Sequence, residues 1–205
     1  MALDSKEFDE LITRCQKCPR LVEYASETKL NKRKDGFEID DYWCKPVPSF
    51  GSLEAHVLIV GLAPGRHGAG RTGRPFTGDY AGEVLYRALH ESGFSSSKEA
   101  VSIDDGLELD GIRIANAVRC APPQNKPLQE EILNCRPYLI QELEMMENLE
   151  FVLTLGNLAH KQLISSMGLR QTDFKFGHKT THTLPDKNWK LVNSYRPSRY
   201  NINTK

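Results

Sequence analysis

Four of the five cysteines fall in two pairs, Cys15 and Cys18 in the run CQKC, and Cys120 and Cys135 with fourteen residues between them. Thiolates in this number are the ligand set of a metal ion or cluster, so one of these is expected to staple the fold. Cys120 directly follows a strand-like run and opens the proline-bearing loop APPQN at 121–125, which makes a functional loop the expected neighbour of that staple. The odd cysteine, Cys44, reads as a buried or incidental thiol, because paired cysteines in a reducing compartment are more often ligands than disulfides.

A second constellation lies in GLAPGRHGAGRTGRPFTGD at 61–79, where six glycines and two prolines shape the backbone around Arg66, His67, Arg71, Arg74, Phe76 and Asp79. Glycines let backbone N–H groups approach a ligand or phosphate closely. No Gly-Lys-Ser/Thr closes the segment and no Gly-x-Gly-x-x-Gly opens it, so it is neither a Walker loop nor a dinucleotide fingerprint. An aromatic ring and an acid among glycines and arginines suit a base to stack and a charge to stabilise. Asp79, after Gly78 and before a helix-like stretch, is also a good N-cap.

The elements that position these residues follow from periodicity. Apolar runs at 56–60, 112–118, 151–155 and 190–194 read as buried parallel strands. Helix-like stretches at 82–92, 128–147 and 157–167 alternate with them, a further helix is expected at 4–15, and 29–34 reads as a charged connector. The expectation is a single domain over 1–205 with an α/β fold, a three-layer α/β/α sandwich around a mainly parallel four-stranded sheet. Ligands bind outside the carboxyl ends of such strands. The loops that begin there are 61–65, 119–123, 156–157 and 195–201, so four loops should converge on one edge.

Lys plus Arg balances Asp plus Glu at 27 each, so net charge does not single out a nucleic-acid partner. The distribution is more telling: residues 175–205 hold seven Lys or Arg against Asp186 alone, whereas 99–110 and 130–150 are mainly acidic. One basic face that follows a phosphate backbone is expected. With no membrane-length apolar run and no secretory pattern at the start, the expected location is the cytoplasm.

Taken together, GLAPGRHGAGRTGRPFTGD at 61–79, NAVRCAPPQNKP at 116–127, LGNLAH at 155–160, SYRPSRYN at 194–201, CQKC and YWCKPVPSFG at 42–51 resemble the uracil-DNA glycosylase superfamily, specifically family 5, the iron–sulfur type B class. The resemblance covers most of the chain. It implies that Cys15, Cys18, Cys120 and Cys135 hold a [4Fe–4S] cluster, with tetrahedral zinc as the alternative that four thiolates also fit. It places Gly61, Ala63, Pro64, Gly65, Phe76 and Asn116 around a flipped uracil, with Phe76 as the stacking face and the Asn116 amide on the base edge. Without the resemblance, Phe76 is a core ring and Asn116 a turn residue at a strand end.

Asp79, Asn116 and Arg196 are the catalytic set the resemblance implies. Many relatives carry a polar group where this chain has Ala63. Family 5 shares that lack, and Asp79 takes the role of orienting water and stabilising positive charge on the sugar. The last motif departs from the usual His-Pro-Ser, reading Arg196-Pro197-Ser198. The expectation is that Arg196 serves as a variant clamp for the departing uracil anion. Arg66, Arg71, Arg74, Ser198 and Arg199 are the expected DNA contacts. The implied activity is that of a monomeric DNA repair glycosylase that hydrolyses the N-glycosidic bond of uracil, with hypoxanthine and other deaminated bases as its extended range. The alternatives are a damage-binding DNA module with little or no catalysis and, outside DNA, an iron–sulfur electron carrier.

Overall fold

The computed structural model describes residues 4–31 and 33–203. Five strands form one sheet in the order β2-β1-β3-β5-β4, with β1 Val57–Gly61, β2 Ile112–Asn116, β3 Phe151–Leu155, β4 Thr181–Thr183 and β5 Lys190–Ser194. The β1–β2, β1–β3 and β3–β5 pairs are parallel, and β4 alone runs antiparallel, against β5. The four expected strands are therefore present, and the sheet gains a fifth. The Thr-His-Thr strand β4 has only three residues, with an edge position and no apolar run to announce it.

Seven helices accompany the sheet among the described residues: α1 Ser5–Thr13, α2 Pro19–Asn31, α3 Ala69–Thr72, α4 Tyr80–Glu91, α5 Gln129–Met145, α6 Asn157–Ser166 and α7 Arg199–Asn203. Alternation along β1 sorts them into layers. Leu58 and Val60 pack with Leu139 of α5 and Leu163 and Ile164 of α6, whereas Ile59 packs with Leu85, Tyr86 and Leu89 of α4. The result is the expected three-layer sandwich. The expected connector at 29–34 is a correction in part: Lys29 to Asn31 form the last turn of α2, and Lys32 lies outside the described residues.

A buried charge network lies between α1 and this sandwich. Glu142 of α5, fully buried, accepts from Arg113 Nε at 2.7 Å and from Arg119 Nη2 at 2.5 Å, and Arg119 also donates to Ser49 Oγ. Asp9 of α1 faces Arg113 at 3.7 Å. Burial of Glu142 opposes its ionisation, but the two guanidiniums hold its carboxyl below the usual range. Arg119 immediately precedes Cys120, so the network also fixes the backbone that carries that thiol.

Candidate active site

The carboxyl ends of β1 and β2 open onto a pocket lined by Gly61, Ala63, Pro64, Gly65, Phe76, Asp79, Asn116, Asn125 and Arg196. All the residues expected to surround a base or to act on it thus come together, from four separate stretches of chain. A larger cleft of about 510 Å³, lined by Tyr24, Trp43 and Arg66, lies beyond the 65–70 turn and includes none of Phe76, Asp79, Asn116 or Arg196.

Phe76 is held in an unusual backbone conformation, with φ of +52°. An aromatic residue adopts that left-handed region only where its surroundings over-determine it. Here the flanking residues are clamped. Arg74 donates to Thr77 Oγ1 at 2.9 Å and sends both Nη atoms to Asp105 at 2.7 and 2.6 Å, while the Tyr86 hydroxyl donates to the Pro75 carbonyl at 2.9 Å. Backbone N–H groups of Val101, Ser102 and Leu107 also converge on Asp105. Despite its partial burial, these donors hold its carboxyl well below the usual carboxylate range.

Gly61 permits the ring and the amide to share one wall. A methyl group at that position would stand 2.7 Å from Phe76 Cζ and would also collide with Asn116 Oδ1. Asn116 is buried, and its Oδ1 has no hydrogen-bond partner. A buried acceptor left unmet is unfavourable by about 1–3 kcal/mol, which marks it as a place for a ligand donor.

Asp79 serves two purposes with two oxygens. Its Oδ1 accepts from Gly82 N–H at 3.0 Å and caps α4, as the sequence predicts. Its Oδ2 faces the 65–68 turn, where a methyl group at Gly65 would stand 2.9 Å away. Burial pushes the carboxyl above its ordinary pKa, against the opposing pull of the Gly82 N–H and the Arg196 charge. Arg196 is exposed, with its Cβ over Gly156 and its carbonyl accepting from Asn201 Nδ2 at 2.8 Å.

Sequence reasoning missed Asn125. It sits in the loop after Cys120, adopts φ of +57°, and contributes an amide to the pocket wall. Asparagine tolerates that left-handed conformation better than most residues, and a proline-bearing loop ending in Gln-Asn was the available signal.

The expected DNA contacts divide. Ser198 and Arg199 are at the surface beside the pocket, with the Arg199 guanidinium 5.0 Å from the centre of the Tyr80 ring. Arg74 is corrected: it is buried and committed to Asp105, and so it is no surface cation. Arg71 pairs with Asp40 at 2.6 Å and donates to the His67 carbonyl, which leaves its side chain 12% exposed. Arg66 turns toward α2, bonding Thr28 Oγ1 at 3.0 Å over the Tyr24 ring. These three arginines organise the glycine-rich segment from within, since a backbone so rich in glycine has few other side chains to fix it.

Cys15, Cys18, Cys120 and Cys135 line one small cavity together with Arg119, Asn134 and Tyr138. Two donors point at sulfur there: Arg119 N–H lies 3.4 Å from Cys135 Sγ and Asn134 Nδ2 3.6 Å from Cys18 Sγ. Burial, then the neighbouring thiols, push Cys120 far above the usual thiol range; burial also carries Cys135 to about 11. Four sulfurs gathered in one cavity, three of them (Cys18, Cys120 and Cys135) resisting ionisation through burial and two of them with N–H donors already aimed at them, fit a positively charged iron–sulfur core. Cys44 does not line this cavity; it is half-buried, at φ of +46°, with its N–H bonded to the Gly70 carbonyl.

Comparison with known proteins gives three results. The family model for the uracil DNA glycosylase superfamily matches residues 48–205. The type-5 uracil-DNA glycosylase of Thermus thermophilus is 43% identical over 202 residues, spanning 98% of this chain and 90% of that protein. Type-5 and type-4 uracil-DNA glycosylases of Pyrobaculum aerophilum are 40% and 31% identical, over 96% and 82% of this chain and 85% and 68% of their own lengths.

Proposed function

The chain belongs to the uracil-DNA glycosylase superfamily, and from that premise we propose that it removes uracil from DNA by hydrolysing the N-glycosidic bond, leaving an abasic site. The observation that carries the base assignment is the buried, unmet Asn116 Oδ1 beside the Phe76 ring. Uracil offers N3–H to that acceptor, whereas cytosine has a lone pair at the same position. Two acceptors would then face each other, which is a strong basis for rejection. Hypoxanthine presents N1–H in the same sense, which supports an extended range over deaminated bases.

The nucleotide must leave the stack before any of these groups can reach it. In the pocket its base lies against Phe76, with Asn116 accepting from N3–H. Asp79 Oδ2 orients a water toward C1′ and stabilises the positive charge that grows on the sugar. As the C1′–N1 bond breaks, its electron pair leaves with uracil, and the Arg196 guanidinium stabilises the resulting anion. The water oxygen forms the new bond to C1′, and its proton passes to Asp79 and on to solvent. Ala63 leaves the first motif apolar, so Asp79 is the carboxylate available to this chemistry. All these groups come from one chain, which supports action as a monomer.

Cys15, Cys18, Cys120 and Cys135 are the ligands we assign to a [4Fe–4S] cluster. Such a cluster supplies a covalent staple between the N-terminal helices, the Cys120 loop and α5, and no redox step is needed for hydrolysis. Tetrahedral zinc is the alternative that four thiolates also fit, and metal analysis separates the two. Among the described residues no helix is long and apolar enough to cross a membrane.

The test is release of free uracil from a uracil-containing oligonucleotide with concurrent appearance of an alkali-labile site. Binding of the same DNA with neither product would instead identify a damage-binding module.

A further inference from the structure

Tyr195 and His178 form an exposed stack next to the pocket. Their ring centres are 4.7 Å apart and their planes lie within 9° of each other, yet Tyr195 remains 54% exposed and His178 is exposed as well. The pair is locked in place. Tyr195 N–H donates to His178 Nδ1 at 3.2 Å, which fixes that ring nitrogen as the acceptor. Behind Tyr195, Phe176 packs at 6.1 Å, and behind Phe176 the buried His160 packs at 5.7 Å. His160 in turn bonds Asn193 Oδ1 and the Phe174 carbonyl. A ladder of rings thus runs from the core to the surface and ends at the residue before Arg196.

Core packing explains the inner members of this ladder, but not the outer two. An exposed aromatic stack forgoes the burial that usually fixes such rings. Its surroundings are cationic: Lys175 and Lys179 are exposed, and residues 174–180 contain no acid. Tyr195 follows β5 directly, at the same carboxyl edge of the sheet as the pocket.

We propose that the His178–Tyr195 pair is a second base platform, outside the pocket, which takes the nucleobase next to the flipped uridine in the same DNA strand. This rests on the glycosylase reading above. Extruding a nucleotide removes a stacking partner from each neighbouring base. A rigid ring pair adjoining the pocket-lining Arg196 replaces that partner for one of them, tolerating any base because every base has a π-face. Lys175 and Lys179 supply phosphate contacts beside it.

The test uses an oligonucleotide with 2′-fluoro-deoxyuridine, which resists hydrolysis, and fluorescent 2-aminopurine on its 5′ or 3′ side. With wild type, 2-aminopurine on one side stays quenched by stacking. Tyr195→Ala and His178→Ala should raise that fluorescence and weaken binding by about fivefold or more, a range typical of one lost base–aromatic stack. Tyr195→Phe should retain both properties. Unchanged fluorescence and affinity in Tyr195→Ala would overturn the platform even if uracil is released normally. If wild type released no uracil the glycosylase reading would fail on its own, while the fluorescence and affinity arms would still decide the platform.

Discussion

Gly68 lies so close to Asp79 that a methyl group in place of its α-hydrogen would collide with Oδ2, the carboxylate oxygen not used to cap α4. The crowding is close on every side of the carboxylate, since Cγ and Cβ of Asp79 would also stand within 3 Å of that methyl group. Gly68→Ala should shift the carboxylate and reduce the single-turnover rate by about 100-fold, the scale expected when a catalytic group moves by about 1 Å. A Gly68→Ala protein with wild-type rate would show that Oδ2 has no part in the chemistry.

The acid limb of the pH–rate profile should lie above the ordinary carboxylate range. Burial raises the Asp79 pKa, and activity needs its ionised form, so the rate rises with pH through that raised value. Arg196 pulls the pKa down, so Arg196→Gln should move the limb to still higher pH and lower the plateau as well. A profile of Arg196→Gln that superimposes on wild type would remove Arg196 from the site.

Stability should respond to Asp9 and Glu142 in opposite senses. Burial is the main reason the Asp9 pKa rises from 3.8 to about 6, so the folded state keeps a proton that the unfolded chain releases. Its ionisation consequently weakens the fold as pH climbs from about 4 to 6, and Asp9→Asn should melt higher than wild type above pH 6, with the gap closing toward pH 4. Glu142, with its pKa held low by Arg119 and Arg113, contributes stability above its ordinary value of 4.5 that is lost as pH falls through the folded one. Glu142→Ala leaves two buried guanidiniums uncompensated and should destabilise by about 3–5 kcal/mol. Melting curves of both variants across pH 4–8 check these signs.

Iron and acid-labile sulfide should be found in equal amounts in protein purified without oxygen, with a broad visible absorbance that Cys120→Ser diminishes. Loss of the cluster should loosen α1 and α2 from α5, read as faster amide exchange there than in the β1–β3 core. Zinc in place of iron, with no visible absorbance, would refute the cluster assignment.

Much of this architecture is legible in the sequence because short apolar runs such as 151–155 and 190–194 alternate with helix-length stretches, an order that points to a parallel α/β sheet. The pocket is legible for a different reason: glycine, proline and a lone acid in 61–79 cannot serve a core. What stays hidden is partnership. Arg74 looks like a surface cation until Asp105, thirty-one residues away, claims it. Strand β4 exists only because β5 offers it an edge, and Asn125 reaches the pocket only because two consecutive residues, Gln124 and Asn125, take positive φ. Such features depend on what the chain meets after folding, and local spacing does not encode them.

The central claim is that Asp79 drives the hydrolysis as a carboxylate while also serving as a cap, and Asp79→Asn separates the two roles. Asparagine caps a helix as well as aspartate does and removes a buried charge, so this variant should melt no lower than wild type. The deciding measurement is single-turnover release of uracil from a uracil-containing oligonucleotide by wild type and Asp79→Asn, both at saturating protein. The account predicts rapid release by wild type and a loss of two or more orders of magnitude in the variant at undiminished DNA affinity and stability. Equal rates in the two proteins would contradict it.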